Sequence, residues 1–222
     1  MPRTVLLATH NRKKLIELEH IVGSATELNL VTIDDVVDGS VARYPVSSYR
    51  EPPETGATFA ENALIKAAEG ARRTGLVTIA DDSGLCVDAL YGAPGVFSAR
   101  WSGRHGDDEA NLRLLLAQLV DVPDERRSAA FVCAAALVIP DGGHVAGGMS
   151  QGLEGATQHV EHGELRGSLL REPRGAGGFG YDPIFVPADY LHSTAELSAA
   201  DKNRISHRGQ AFRALAPLLA TV

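Results

Sequence analysis

The chain has 222 residues, 44% of them hydrophobic and 22% charged, with a formal net charge of −7. This is the balance of a soluble globular protein with one substantial core, either one large domain or two lobes sharing a sheet. The negative charge argues against non-specific nucleic-acid binding through a basic surface, though a local basic pocket can still take a small anionic ligand.

Val5 to Ala8 reads as a short buried strand, and the apolar run around it is far too short for a signal peptide. A helix follows, with Leu15, Leu18 and Val22 on its apolar face, and Leu28 to Ile33 reads as a second strand. Residues 38–57 are rich in Gly, Pro and Ser without periodicity, which predicts an exposed loop. Thr58 and Glu61 fit a capping box that opens a helix with Ala60, Ala63, Leu64, Ala67, Ala68 and Ala71 on one face; Gly75 ends it. A strand over 76–80 stops at two adjacent acids, and another short strand runs through Leu85 and Val87. Asp107 to Leu119 predicts a helix with acids in its first turn, which suits the helix dipole. Ser128 to Ile139 and His144 to Gln151 flank Asp-Gly-Gly and read as a hairpin; the apolar run 129–139 is too short to span a bilayer. Cys86 and Cys133 each lie in an apolar run without metal-ligand spacing and read as buried reduced thiols. A glycine-rich loop at 175–180 precedes a strand over 183–186, and a last helix starts near Ser206, with Pro217 expected to kink or end it. The alternation of strands and helices, then a strand-rich middle, predicts an α/β or mixed-sheet architecture.

Four clusters could carry chemistry. Residues 8–14, Ala-Thr-His-Asn-Arg-Lys-Lys, follow the first strand, where a strand-to-helix turn aims N–H groups at an anion. Taken alone, that segment reads better as an Asn11 cap with solvated lysines. Glu51 and Glu54 lie in the long loop, where acids are ordinarily solvated. Asp81 and Asp82 close an apolar strand, where two like charges repel and desolvation is costly. Strand alternation sends them to opposite faces unless the strand has already ended. One would face a ligand and the other orient it or share a metal; a turn capped by Asp82 or Ser83 is the plainer alternative. The fourth cluster joins Gly175 to Pro183, where Phe179 or Tyr181 offers a face to a planar ring, with His207 and Arg208 at a helix start. A phosphate-type turn, acids suited to Mg²⁺, a stacking ring and a cationic terminus together point to a nucleotide and phosphoryl chemistry.

Five ordered stretches, LLATHNRKKLIELEHI, ETGATFAENALIKA, IADDSGLCVDALYGAPGVFSARWSG, GGFGYDPIF and ELSAADKNRISHRGQA, cover nearly the whole chain. In them the chain resembles the inosine/xanthosine triphosphate pyrophosphatase family. The resemblance implies an α/β fold: an elongated mixed β-sheet flanked by helices, one domain over residues 1–222 in two lobes with the active-site cleft between them. It implies Mg²⁺-dependent hydrolysis of non-standard purine nucleoside triphosphates (dITP/ITP, XTP/dXTP) to the monophosphate and pyrophosphate. A cytoplasmic homodimer with no stable nucleic-acid partner and no membrane association is also implied. The turn of Thr9, His10, Asn11, Arg12, Lys13 and Lys14 would bind the triphosphate. Glu54 and Asp82 would hold Mg²⁺, with Asp82 also activating the attacking water and Asp81 supporting the site. Lys66 and Ser83 would touch substrate. Phe179, Gly180, Tyr181 and Asp182, with Lys202, His207 and Arg208, would enclose the base and read its 6-keto edge. His10 stands where the family commonly has glycine, so it must take a glycine-like backbone or the turn must differ. A phosphatase for sugar phosphates or nucleoside monophosphates, and a nucleotide-binding module without catalysis, are the competing readings.

Overall fold

The computed structural model describes residues 3–10, 14–16, 18–19, 28–39, 46, 48–141 and 155–220. One six-stranded sheet contains β1 (Arg3–Leu7), β2 (Leu28–Thr32), β3 (Val77–Val87), β4 (Ser128–Ile139), β5 (Thr157–Leu169) and β6 (Phe185–Pro187), in the order β2-β1-β3-β4-β5-β6. β1 runs parallel to both neighbours, with Val5 opposite Leu30 on one side and Val77 on the other. β6 lies antiparallel to β5, so the sheet is mixed. The connection from β2 to β3, which flank β1, contains α1 (Ile33–Val37) and α2 (Phe59–Thr74). Further helices among the described residues are α3 (Asp108–Gln118), α4 (Ala199–Ile205) and α5 (His207–Leu219). No helix among the described residues is long and apolar enough to cross a membrane.

Several elements differ from the sequence reading. Residues 14–16 and 18–19 are helical, as the Leu15 and Leu18 spacing predicts, while Val22 lies outside the described residues. The second strand stops at Thr32, because Thr32 and Asp35 form a reciprocal capping box that turns Ile33 into a helix. The acids do not end β3, which runs without a break from Val77 to Val87. The hairpin partner expected at 144–151 lies outside the described residues, and the next strand is β5, whose largely polar sequence shows no buried run. The strand expected over 183–186 is a 3₁₀ turn, Asp182–Ile184, followed by the short β6. The C-terminal helix is preceded by α4, which buries no residue and so leaves no apolar period to read. Pro217 sits inside α5, and the helix ends two residues later at Leu219. Both cysteines are free thiols; Cys133 is buried and Cys86 only partly so.

The chain divides into two compact units. The first comprises Met1–Asp82, Ala134–His162 and Ala211–Val222, and the second Ser83–Cys133 and Gly163–Gln210. In the first, α2 is capped by Thr58, whose hydroxyl accepts from Glu61 N, while the Glu61 carboxylate reaches back to Ala57 N. Gly75, with φ of +69°, closes the helix in the left-handed conformation that favours glycine. The helix lays Ala63, Ala67, Gly70 and Ala71 on the sheet, against Leu6, Ala8, Ala80 and Ala134. A methyl at Gly70 would come within 2.8 Å of Thr78 Cγ2, so only glycine allows this approach. In the second unit, Leu112 and Leu115 of α3 and Leu119, which caps its end, pack with Leu85, Phe131, Ile184 and Phe185. Arg127, 1% exposed, holds this core's edge by donating to the carbonyls of Leu119, Leu169 and Leu170.

Replacing Gly167 tests the β5–β6 pairing. An added Cβ would lie 2.1 Å from the Val186 carbonyl oxygen, and backbone cannot give way as a side chain does. Gly167→Ala is expected to lower unfolding free energy by about 1–3 kcal/mol, the usual cost of overpacking. Urea denaturation followed by circular dichroism measures it; an unchanged midpoint would mean the pairing tolerates a methyl.

Candidate active site

In the first unit, residues 78, 80 and 82 of β3 face α2, since side chains alternate along a strand. On the first turns of α2, Asn62 and Lys66, four residues apart, stand on one face and meet Asp82. Asn62 is fully buried and donates to Asp82 Oδ2 at 3.0 Å, while its own oxygen accepts from Gly56 N at 2.8 Å. The amide therefore ties the loop carrying Glu54 to the strand carrying Asp82. Lys66 Nζ lies 2.8 Å from Glu54 Oε1 and 3.4 Å from Asp82 Oδ1.

Asp81 points the other way and is 3% exposed. Lys14 Nζ donates to both of its oxygens, at 2.9 and 3.0 Å. The like-charge problem at Asp81-Asp82 is thus met by one lysine on each face. Among the described residues, Lys14 and Lys66 are the ammonium groups that meet the carboxylates of Glu54, Asp81 and Asp82.

Burial and these charges together set the proton affinities. Burial pushes Asp82 above the usual carboxylate range; Lys66 and the Asn62 amide pull it down, while Glu54 and Asp81 push it further up. Burial alone would lower Lys66, but Asp82, Asp81 and Glu54 outweigh it and hold the ammonium above its ordinary value. The lysine is therefore firmly charged, and Asp82 is the more basic for being buried beside other acids.

The turn after β1 is described only in part. Thr9 is buried, and its N–H donates to Leu7 O. Asn11, Arg12 and Lys13 lie outside the described residues. Among the described residues the non-glycine positions with positive φ are Tyr91 and Asp189, so His10 does not adopt the left-handed backbone of a glycine. Its Nδ1 instead lies 2.7 Å from Asp34 Oδ1, and its ring meets Tyr49 edge-on.

The second unit holds another group. Phe179 is 52% exposed, whereas Tyr181 is buried and its hydroxyl donates to Ser98 O. The ring open for stacking is therefore Phe179. Asp182, also buried, accepts from Phe179 N, Thr194 Oγ1 and Lys202 Nζ. The Lys202 ammonium lies 5.2 Å from the centre of the Phe179 ring. Gly180 N donates to Asp108 Oδ2 of α3. Arg208 is buried and donates to Ser83 Oγ at 3.1 Å. His207 stacks on Phe131, with ring centres 5.1 Å apart.

Sequence reading missed Asn62 and Thr194. Asn62 carries a legible signal, a polar residue one turn before Lys66 beside the alanine stripe of α2. Thr194 carries none, since it sits in irregular chain after β6.

Residues 5–218 match the model of the Ham1 family. The chain is 52% identical over 217 residues to a dITP/XTP pyrophosphatase of Mycobacteroides abscessus, covering 97% of this chain and 94% of that protein. A crystal structure of a nucleoside-triphosphatase / dITP/XTP pyrophosphatase from Mycobacterium abscessus superposes with a TM-score of 0.72 at 51% identity, covering 97% of this chain and 99% of the other. A HAM1 protein from Coxiella burnetii superposes with a TM-score of 0.80 at 37% identity, covering 99% of this chain and all of the other.

The elevated proton affinity of Asp82 predicts a stability effect. A carboxyl whose folded-state affinity exceeds its free-chain value favours folding while protonated. That advantage fades as pH rises from the free-chain range through the folded value, and above it ionised Asp82 is a net cost. In metal-free buffer at pH 7, Asp82→Asn is expected to raise the melting temperature, with the gain shrinking as pH falls toward the ordinary carboxylate range. Calorimetry at a series of pH values decides it. A lower melting temperature at pH 7 would mean that the Lys66 and Asn62 contacts outweigh the burial.

Proposed function

The chain belongs to the Ham1 family, and from that premise we propose that it hydrolyses non-standard purine nucleoside triphosphates, dITP/ITP and XTP/dXTP, to the monophosphate and pyrophosphate. The observation that carries this reading is the buried, basic Asp82, held by Asn62 and set against the Lys66–Glu54 pair. A binding module would have no use for a carboxylate held at this cost to stability.

The donor set fits Mg²⁺, a hard cation that takes one or two carboxylates alongside phosphate and water oxygens. Glu54 and Asp82 would hold it. Among the described residues no three His, Cys, Asp or Glu side chains gather into a cage, so phosphate and water would complete the coordination. Bound there, the ion would offset the charge of the carboxylates that hold it and the growing charge on the phosphates. Asp82 takes the proton of the attacking water, whose oxygen bonds to the α-phosphorus while the α–β bridging bond breaks and pyrophosphate leaves with the electron pair. Lys66 supplies positive charge beside the carboxylates. Thr9, His10, Asn11, Arg12, Lys13 and Lys14 are assigned to the triphosphate, with Lys14 exchanging Asp81 for phosphate or sharing itself between them.

Ser83 is assigned to substrate, and Phe179, Gly180, Tyr181, Asp182, Lys202, His207 and Arg208 to the base. Phe179 offers the stacking face, and Tyr181 and Asp182 shape the loop from inside. Lys202 and Arg208 are donors only, so they favour the 6-oxo acceptor of hypoxanthine and xanthine over the 6-amino group of adenine. A site built to bond one group rejects its opposite, because buried groups are then left unpaired. The proposal also includes a single two-lobed domain, a homodimer and a cytoplasmic location; light scattering and cell fractionation check the last two.

Incubation with dITP and Mg²⁺ should release pyrophosphate. Orthophosphate instead would favour a phosphatase. Asp82→Asn should keep the fold and lose turnover by about 10²-fold or more, the contribution of a positioned general base. Turnover near wild type, with an intact melting transition, would remove Asp82 from the chemistry.

A further inference from the structure

Phe179 is a large aromatic side chain left half exposed, and the loop that carries it bends through Gly178 and Gly180, at φ of +75° and +62°. Such a loop is held by its main chain or not at all. Two consecutive N–H groups are taken by two carboxylates: Phe179 N by Asp182 Oδ2 at 2.8 Å, and Gly180 N by Asp108 Oδ2 at 2.9 Å. Asp182 is local, but Asp108 reaches across 72 residues from the first turn of α3.

Helix capping does not account for Asp108. Its neighbour Asp107 is the cap of α3, with its carboxylate accepting from Ala110 N at 3.1 Å. Adjacent acids thus have separate tasks, one ending a helix and the other holding a distant turn. The two clamps also differ in burial: Asp182 is 3% exposed and serves Thr194 and Lys202 as well, whereas Asp108 is exposed. Removing Asp182 would disturb the core, while removing Asp108 releases only the tip of the loop.

We propose that Asp108 is a positioning residue for base recognition: by accepting the Gly180 N–H it holds the Phe179 ring at the angle in which a purine stacks on it. The proposal rests on the assignment of Phe179 to the base. Ordering the loop before substrate arrives lowers the cost of binding, so the residue acts on affinity for the base and not on the hydrolytic step.

The test compares Asp108→Ala, Asp108→Asn, Asp107→Ala and Phe179→Ala in the full chain, with ITP as substrate and inorganic tripolyphosphate, which has no base, as competitor. Asp108→Ala should raise the KM for ITP about fivefold to tenfold, the scale of one ordinary net hydrogen bond, as suits an exposed carboxylate. Its kcat and the tripolyphosphate inhibition constant should stay within about twofold on the same scale. Asp108→Asn, whose amide oxygen still accepts from Gly180 N, should recover most of the loss. Asp107→Ala should lower the melting temperature without moving KM. An unchanged KM in Asp108→Ala overturns the proposal, as does a parallel weakening of tripolyphosphate or an Asp108→Asn as impaired as the alanine. If Asp108→Ala does not fold, Asp108→Ser is judged by the same criteria. Phe179→Ala separates the two levels: a raised KM there with none in Asp108→Ala defeats this inference alone, while no change in Phe179→Ala defeats the base assignment beneath it.

Discussion

Everything in the first unit depends on how closely α2 lies on the sheet. The contact is made by Ala63, Ala67, Gly70 and Ala71, with Gly70 too near Thr78 to tolerate a methyl. Small residues bring the helix backbone down, and longer side chains on the same face then reach across. Asn62 and Lys66 do so and meet Asp82. Larger residues in the stripe would lift the helix and lengthen the Lys66–Asp82 approach, already 3.4 Å. Site geometry and core packing are therefore the same constraint.

Lysines answer the carboxylates on both faces of β3. Lys14 answers Asp81 on one face of β3, and Lys66 is shared between Glu54 and Asp82 on the other. Removing one partner of a buried pair is costly because the remaining charge is stranded. Burial nonetheless lifts the proton affinity of Asp82, and a raised affinity is what a carboxylate needs if it is to accept a proton.

In the second unit the same economy takes another form. Arg127 is a buried guanidinium with three carbonyl partners, joining the end of α3 to the end of β5. Asp182 is a buried carboxylate serving a main-chain N–H, a hydroxyl and an ammonium. Each uses a charge to organise neutral backbone, since charged partners make the stronger hydrogen bonds. Asp182 thereby holds the turn that carries Phe179, whose ring is half exposed with Lys202 beside it.

The local signals in the sequence were enough to place α2, α3 and the core strands, because capping residues, glycine stops and apolar spacing act over a few residues. They also brought out Glu54, Lys66, Asp82 and Phe179, through ordered motifs that resemble a known family. They failed where long-range partners decide. Read locally, Asp81 and Asp82 break a strand; in the fold β3 continues through them because a lysine waits on each face. The polar β5 is a strand because it has neighbours in the sheet to pair with, a property no local period reveals. His10 needs no glycine-like backbone, since Asp34, twenty-four residues away, gives its ring a partner. Sequence alone thus determined which chemistry-bearing residue types the chain holds and which segments carry them. Tertiary structure decided their pairing, the burial that sets their proton affinities, and which of two aromatic rings faces outward, because each of these depends on atoms brought together only by folding.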